Sequence, residues 1–363
     1  MIRTLWRRVR RLLKWSLIAL AIATLLLLSP VAYIEIACRG GGGTPQTYQP
    51  LITDPAFQRR EANTYLTYPE WHIVFAYDGL ANALKTGDEY AFDYFPSISR
   101  FWSSTCALTR VAGEHGGADW GTRSMIHTIG VSFTAEMTLK ALYEETIGRV
   151  AAWTRGAQKS PQDLVVATMA SDYASFLRQT PWYMYPFDRE VQKLWAAPVD
   201  QRIRGWERRI GIGLEFKAKV TYARVIAQAV AATGEAQLII RTIVSGLSAD
   251  ALSKLPNVKV IGARAEGIEI ETPRYDLYTR LLIDIAKQGG VIREIAGNDE
   301  IMVSLTVPEG SAIPMEPGVV LFRMKRDGIA GDRVLVNVKV VELATFLTRH
   351  PLGDPGLEHI FDY

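Results

Sequence analysis

Five histidines (His72, His115, His127, His350 and His359) and two cysteines (Cys38 and Cys106) are all the imidazoles and thiols that this 363-residue chain offers for acid–base, metal or nucleophilic chemistry. A dinuclear metal site in a helical bundle draws Glu-x-x-His pairs from two helices. The chain has none, and Glu70-Trp71-His72 has the wrong spacing. His-Glu-x-x-His, a Walker loop, G-x-G-x-x-G after a strand, C-x-x-C and the G-x-S-x-G elbow are also missing. Cys106 stands in Phe101-Trp102-Ser103-Ser104-Thr105-Cys106 and reads as a small buried residue of an aromatic core. A reactive thiol would need a polarising partner, which spacing alone does not supply. A bond between Cys38 and Cys106 is open in principle, but Cys38 falls at the edge of an apolar run and the reading leans against it.

Glu136, Lys140 and Glu144 repeat at four-residue intervals with alternating sign inside an otherwise apolar stretch. On a wet helix face such pairs contribute about 0.2–0.5 kcal/mol each. On a buried helix, charges must be paired or functional. The candidate set for carboxylate and histidine chemistry is therefore His72, His115, His127, Glu136 and Glu144. An ion-paired structural network is the favoured reading of the line, and hydrogen-bonded helix-face residues that of His72 and His127. No residue is assigned to a metal or a cofactor, and no cofactor is expected.

Aromatic residues are concentrated between residues 61 and 210, where 23 of 150 are Phe, Trp or Tyr against 10% in the whole chain. Such side chains bury large areas, so most of them belong to a core. The same density could line a groove for an apolar ligand, a sugar or a partner helix.

The elements that must carry these residues begin with an anchor. Arg3, Arg7, Arg8, Arg10, Arg11 and Lys14 precede an apolar run from Trp15 to Ile36 broken only by Glu35. At about 1.5 Å per residue the run spans roughly 33 Å, enough for a hydrocarbon core of about 30 Å. It is longer than a signal-peptide core and no A-x-A site follows, so an uncleaved signal anchor is expected over residues 15–37, through Trp15, Leu17, Leu20, Leu25, Leu28 and Ile36. An acylated Cys38 is disfavoured by Glu35, and Pro30 is expected to kink the span. Basic flanks stay in the cytoplasm, which sends everything after Arg39 to the other side. Without the anchor, residues 40–363 hold 34 Lys+Arg and 37 Asp+Glu. The whole-chain charge of +3 is thus a topology signal added to a mildly acidic ectodomain. With no basic stripe there is no nucleic-acid footprint.

The expected organisation is a basic flank (1–14), the anchor (15–37), a Gly/Pro linker (38–60), an aromatic-rich helical domain (61–233) and an α/β domain (234–363). Helical periodicity runs over His72–Leu84, Ser97–Gly113, Thr122–Trp153, Pro161–Gln179 and Ile203–Ala232. Met125 to Tyr143 is apolar enough to suggest a second span, but His127, Glu136 and Lys140 would each cost about 2.5–3.5 kcal/mol in a bilayer; a buried core helix is expected. After Thr233 the order strand (237–244), helix (249–255), strand (258–263), strand (267–271), helix (275–287), strand (291–295) matches the β-α-β-β-α-β pattern of ferredoxin-like domains. Strands at 301–307, 319–324 and 334–341 follow as additions. The fold class is α+β.

These features favour a single-pass protein of the bacterial inner membrane with a periplasmic ectodomain that serves as a non-enzymatic accessory or binding module. Its expected partners are the bilayer through residues 15–37 and an envelope protein or apolar ligand. The alternatives are an enzyme modifying envelope lipid or glycan with carboxylate/histidine chemistry in the helical domain, and an apolar-ligand-binding protein.

Overall fold

The computed structural model describes residues 2–40, 43, 48–233, 238–312 and 316–362. Gly41, Gly42 and residues 44–47 of the expected linker, and Gln237 at the expected start of the first strand, lie outside the described residues. Helix α1 (Ile2–Tyr33) runs through Pro30 and passes into a π turn at Ile34–Cys38. The span Arg10–Cys38 is long and apolar enough to cross a membrane.

The helical half follows. It contains α2 (Glu61–Thr64), α3 (Tyr68–Thr86), α4 (Tyr94–Glu114), α5 (Trp120–Tyr143), α6 (Arg149–Arg155), α7 (Pro161–Leu177), α8 (Phe187–Ala196) and α9 (Arg202–Thr233). Local chemistry sets several ends. Asp119 caps α5 by accepting from the Thr122 amide, and Ser160 and Asp163 form a reciprocal capping box on α7 with Pro161 as the first helical residue. Helices α4 and α5 form an antiparallel hairpin in which the Trp102 indole donates to Thr134 at 2.9 Å and the Phe101 and Phe133 rings lie 5.5 Å apart. The expected buried core helix is amphipathic in fact: Ile126, Phe133, Met137 and Ala141 of α5 are buried, while Leu139 and Leu142 are exposed.

Two expectations about the anchor are corrected. Cys38 and Cys106 are joined in a disulfide, so neither is a free thiol and Cys38 is not available for acylation. The described start of the linker is no free spacer, since the Gly43 amide donates to the Gly113 carbonyl at 3.1 Å. The physical reason is that the end of α1 lies along α4. That contact places the two sulfurs together and continues the chain down the same helix.

Beyond α9 the chain forms β1 (Ile239–Ser245), α10 (Ala249–Ser253), β2 (Lys259–Ala263), β3 (Ile268–Pro273), α11 (Asp276–Lys287), β4 (Val291–Ile295), β5 (Glu300–Val307), β6 (Gly318–Lys325), β7 (Asp332–Lys339), α12 (Leu343–Arg349) and β8 (Gly356–Ile360). There are two four-stranded antiparallel sheets, ordered β2-β3-β1-β4 and β6-β7-β5-β8. The three strands after Ile295 are therefore a second sheet and not an extension of the first. They are completed by β8, which pairs with β5 and has no counterpart among the expected strands.

Alternation along β5 and β7 explains how this second sheet holds the molecule together. Successive strand residues face opposite sides. Ile301, Val303 and Leu305 of β5, with Val334, Val336 and Val338 of β7, share a core with the first sheet, α11 and α12. The intervening Met302 and Leu335 join Tyr65, Tyr68, Trp71 and Phe75 of the helical half. Helix α3 also seats directly on the β6–β7 turn. A side chain at Gly79 would meet the Asp327 carbonyl at 2.0 Å, a contact only glycine permits.

Candidate functional site

The line Glu136–Lys140–Glu144 does not pair along its own helix. Each member reaches across to α9, which runs antiparallel to α5. Glu136 lies 2.7 Å from Lys219, Lys140 lies 2.8 Å from Glu215, and Glu144 lies 2.8 Å from Arg208. Tyr143 donates to Glu207 at 2.6 Å on the same seam.

At the Glu144 end the charges condense into a network closed to solvent. Arg208, fully buried, donates to Glu89 at 2.6 Å and to Glu144 and Glu207. Arg204, equally buried, holds Asp163 at 2.8 Å and Glu207 at 2.9 Å. Arg155 bridges Asp163 at 2.7 Å and Asp88 at 3.0 Å. Three guanidinium groups thus face five carboxylates. Burial pushes Glu144 up to about 6, Arg208 opposes the shift, and the neighbouring Glu89 charge adds to it. One Glu144 oxygen has no hydrogen-bond partner. Glu144 also opens the π turn Glu144–Gly148, an irregularity frequent where a helix carries function. Gly148 makes room for its carboxylate, since a side chain there would lie 2.2 Å from a Glu144 oxygen.

At the Glu136 end, Lys219 sits within 5.0 Å, 5.1 Å and 5.6 Å of the Tyr77, Tyr173 and Phe187 ring centres, and it donates to the Tyr77 hydroxyl at 2.9 Å. Tyr77 in turn donates to Glu136. Cation–π contacts of this kind gain strength when desolvated. Glu215, between the two ammonium groups, is held down at about 2 by Lys140 and Lys219 against the opposing effect of burial. A cavity of about 40 Å³ lies here, lined by Tyr77, Tyr173, Phe187, Lys140, Glu215 and Lys219 among others. A water needs roughly 10–15 Å³, so the space suits a few waters and no organic ligand. The arrangement can store a proton at Glu144 and hold water against fixed charges. It contains no thiol or imidazole.

The three histidines lie elsewhere, so the five predicted residues occupy four separate settings. His72 is fully buried, 3.1 Å from the Ser97 carbonyl and 3.5 Å from Asp327; burial pushes it down to about 4, which leaves it neutral and donating to Ser97. His115 lies 3.0 Å from Glu61, and that hydrogen bond raises its pKa. His127 lies 2.8 Å from Glu35 in the π turn that follows α1, where Arg123 also binds at 3.2 Å. Ligand atoms of Glu61, His115 and Glu300 lie within 4.8 Å of one another and could supply three donors to a metal. Lys339 already contacts Glu300 and provides a positive charge there.

Sequence reading missed a second perturbed cluster, where α3 meets the sheets. Asp362 accepts from the Tyr275 amide at 2.7 Å and lies 3.4 Å from Arg274. Burial raises Asp362 to about 6 and Glu70 to about 7, with Arg274 opposing both. Tyr275 itself has φ 69°, a strained backbone for a side-chain-bearing residue. The rings of Trp71 and His359 lie 3.5 Å apart beside it. No local pattern marks this cluster, since its members Glu70, Arg274, Tyr275 and Asp362 come from distant parts of the chain.

Comparison with protein families, characterised proteins and solved structures returns no match to this chain.

Proposed function

We propose that the chain is a single-pass membrane-anchored module whose folded part lies outside the cytoplasm, in the periplasm of a bacterial inner-membrane protein, and which acts by binding an envelope partner and not by catalysis. The observation that carries the location is the Cys38–Cys106 disulfide immediately after the apolar helix, because such bonds persist in oxidising compartments. It agrees with the basic N-terminal flank, which favours a cytoplasmic N-terminus. The scatter of His72, His115 and His127 away from the Glu136–Glu144 seam removes the convergence that an enzyme of the carboxylate/histidine type would need. The cavity beside Lys219 is too small for an apolar ligand. In this reading residues 61–233 and 234–363 are two units, and the strand order β2-β3-β1-β4 with its two connecting helices supports a ferredoxin-like first sheet, a fold that by itself implies no chemistry.

The test is thiol accessibility in intact cells, combined with reporter fusions at the C-terminus. Maleimide–polyethylene glycol should shift the protein on a gel only after reduction, and a phosphatase fused after Tyr363 should be active. Free cysteines in unreduced cells, with a fluorescent rather than an enzymatically active C-terminal reporter, would overturn the placement. Glu136→Gln with Glu144→Gln should leave any deletion phenotype complemented; failure to complement with normal protein levels would restore the enzyme reading.

A further inference from the structure

The anchor helix does not leave the folded part at a tip. Its last turns lie along the α4–α5 hairpin. Cys38 is bonded to Cys106, Glu35 binds Arg123 and His127, and Val31 packs against the core that contains Phe101, Trp102 and Phe133. Val31 on the core of Phe101 and Trp102, then Cys38 on Cys106, then Gly43 on Gly113 ascend the two segments together, so α1 with its π turn runs parallel to α4. It therefore runs antiparallel to α5. Followed back from Glu35 towards its basic end, α1 heads the same way as α5 does from His127 towards Tyr143, α6 and the N-terminal half of α9.

That end of the helical half carries a large uncovered apolar face. Leu142, Val150 and Trp153 recur on one side of α5–α6, and Trp206, Ile210 and Leu214 on one side of α9. Trp153 is 84% exposed and Leu214 63%. The two helices meet through Tyr143 and Glu207 and turn Glu144 and Arg208 into the core, so their remaining sides look out in the same direction. Isolated exposed apolar side chains need no explanation, whereas a contiguous set marks an interaction surface. Cations border it: Arg149, which also pairs with Glu145, lies against the Tyr90 ring, and Arg209 lies against the rings of both Trp195 and Trp206. Tryptophan and arginine at the margin of an apolar face are the chemistry of a lipid headgroup boundary.

We propose that the α5–α6–α9 face docks into the same bilayer that α1 crosses, so that the helical half is held against the membrane by one spanning helix and one interfacial face. This rests on the reading of α1 as a membrane anchor. An interfacial face of this kind enters by roughly 5–10 Å, with affinity from buried apolar area and from attraction of its cations to anionic lipid.

The experiment uses the full chain in nanodiscs of phosphatidylcholine and phosphatidylglycerol, with the native disulfide intact and single added cysteines carrying an environment-sensitive fluorophore. The positions are Val150→Cys and Ile210→Cys on the face, Leu20→Cys in α1 and Lys254→Cys on the distant sheet half. Collisional quenching by a water-soluble agent should be roughly ten-fold weaker at 150, 210 and 20 than at 254, as interfacial burial requires. Protection at 20 with quenching at 150 and 210 equal to that at 254 would overturn the docking and keep the anchor. Quenching at 20 would overturn both. A protein partner in place of lipid would leave 150 and 210 exposed in the nanodisc, and so also counts against the proposal.

Discussion

The two halves of this protein differ in where they bury charge, since the buried Arg333–Glu358 pair of the sheet half lies at its edge, with Arg333 against Phe75 of the helical half. The sheet half fills its shared core with Ile, Val, Leu and Phe, and β5 and β7 contribute Ile301, Val303, Leu305, Val334, Val336 and Val338 to it. The helical half places two guanidinium groups, Arg204 and Arg208, at its centre, essentially without solvent exposure. A trimmed apolar side chain costs its lost transfer free energy and the cavity it leaves, and leaves no charge behind. A buried ion that loses its partner leaves an uncompensated charge in a poorly polarisable interior. The helical half should therefore depend more steeply on single residues.

Arg208→Ala would break that contrast most visibly. It strands Glu89 and Glu144, and should cost about 3–5 kcal/mol, read from chemical denaturation of the full chain in detergent. A cost no greater than that of an apolar truncation in the sheets would erase the distinction. Cys106→Ser should cost about 2–4 kcal/mol. The loss should be matched by reducing the unsubstituted protein, and a reduced protein of unchanged stability would refute the prediction.

The pH response sharpens the comparison at the junction of the halves. Asp362 is raised from 3.8 to about 6. Its contribution is therefore present below pH 4 and is lost as pH rises through 6. Asp362→Asn removes that dependence, so the variant should gain relative to the parent as pH rises from 4 to 6, by on the order of 3 kcal/mol at most. A stability difference that is flat with pH would rule this out. In the sheet core, Ile301→Val should cost about 0.5–1.5 kcal/mol, measured as a shift of the denaturation midpoint. At the surface, Lys254→Ala removes the exposed i,i+4 pair with Asp250 and should change stability by about 0.3–0.5 kcal/mol. A cost comparable to that of Arg208→Ala would mean that burial is not what separates the two ion pairs.

What the sequence made legible was local. The apolar N-terminal helix, the long helices of the helical half and the succession of strands and helices from Ile239 to Ile295 follow from period and turns. What stayed hidden was non-local. The Glu136–Lys140–Glu144 spacing suggests pairing along one helix, yet the partners come from residues 64 and more positions away. Helix α8 is short and starts directly after Pro181 and Pro186, whose turn chemistry masks its period. Strand β8 has no signal of its own, because its place is set by β5. The disulfide is set by the end of α1 lying on α4, a contact that two cysteines 68 residues apart do not encode by spacing.

That disulfide also bears on the order in which the molecule is made. Its two sulfurs are 68 residues apart, within the first third of the chain. In a protein exported as proposed, the α4 segment can be covalently fixed to the anchor while both sheets are still unsynthesised. The helices that follow then assemble on a template already oriented to the membrane, and the later strands, with β8 among the last residues, close the structure onto it.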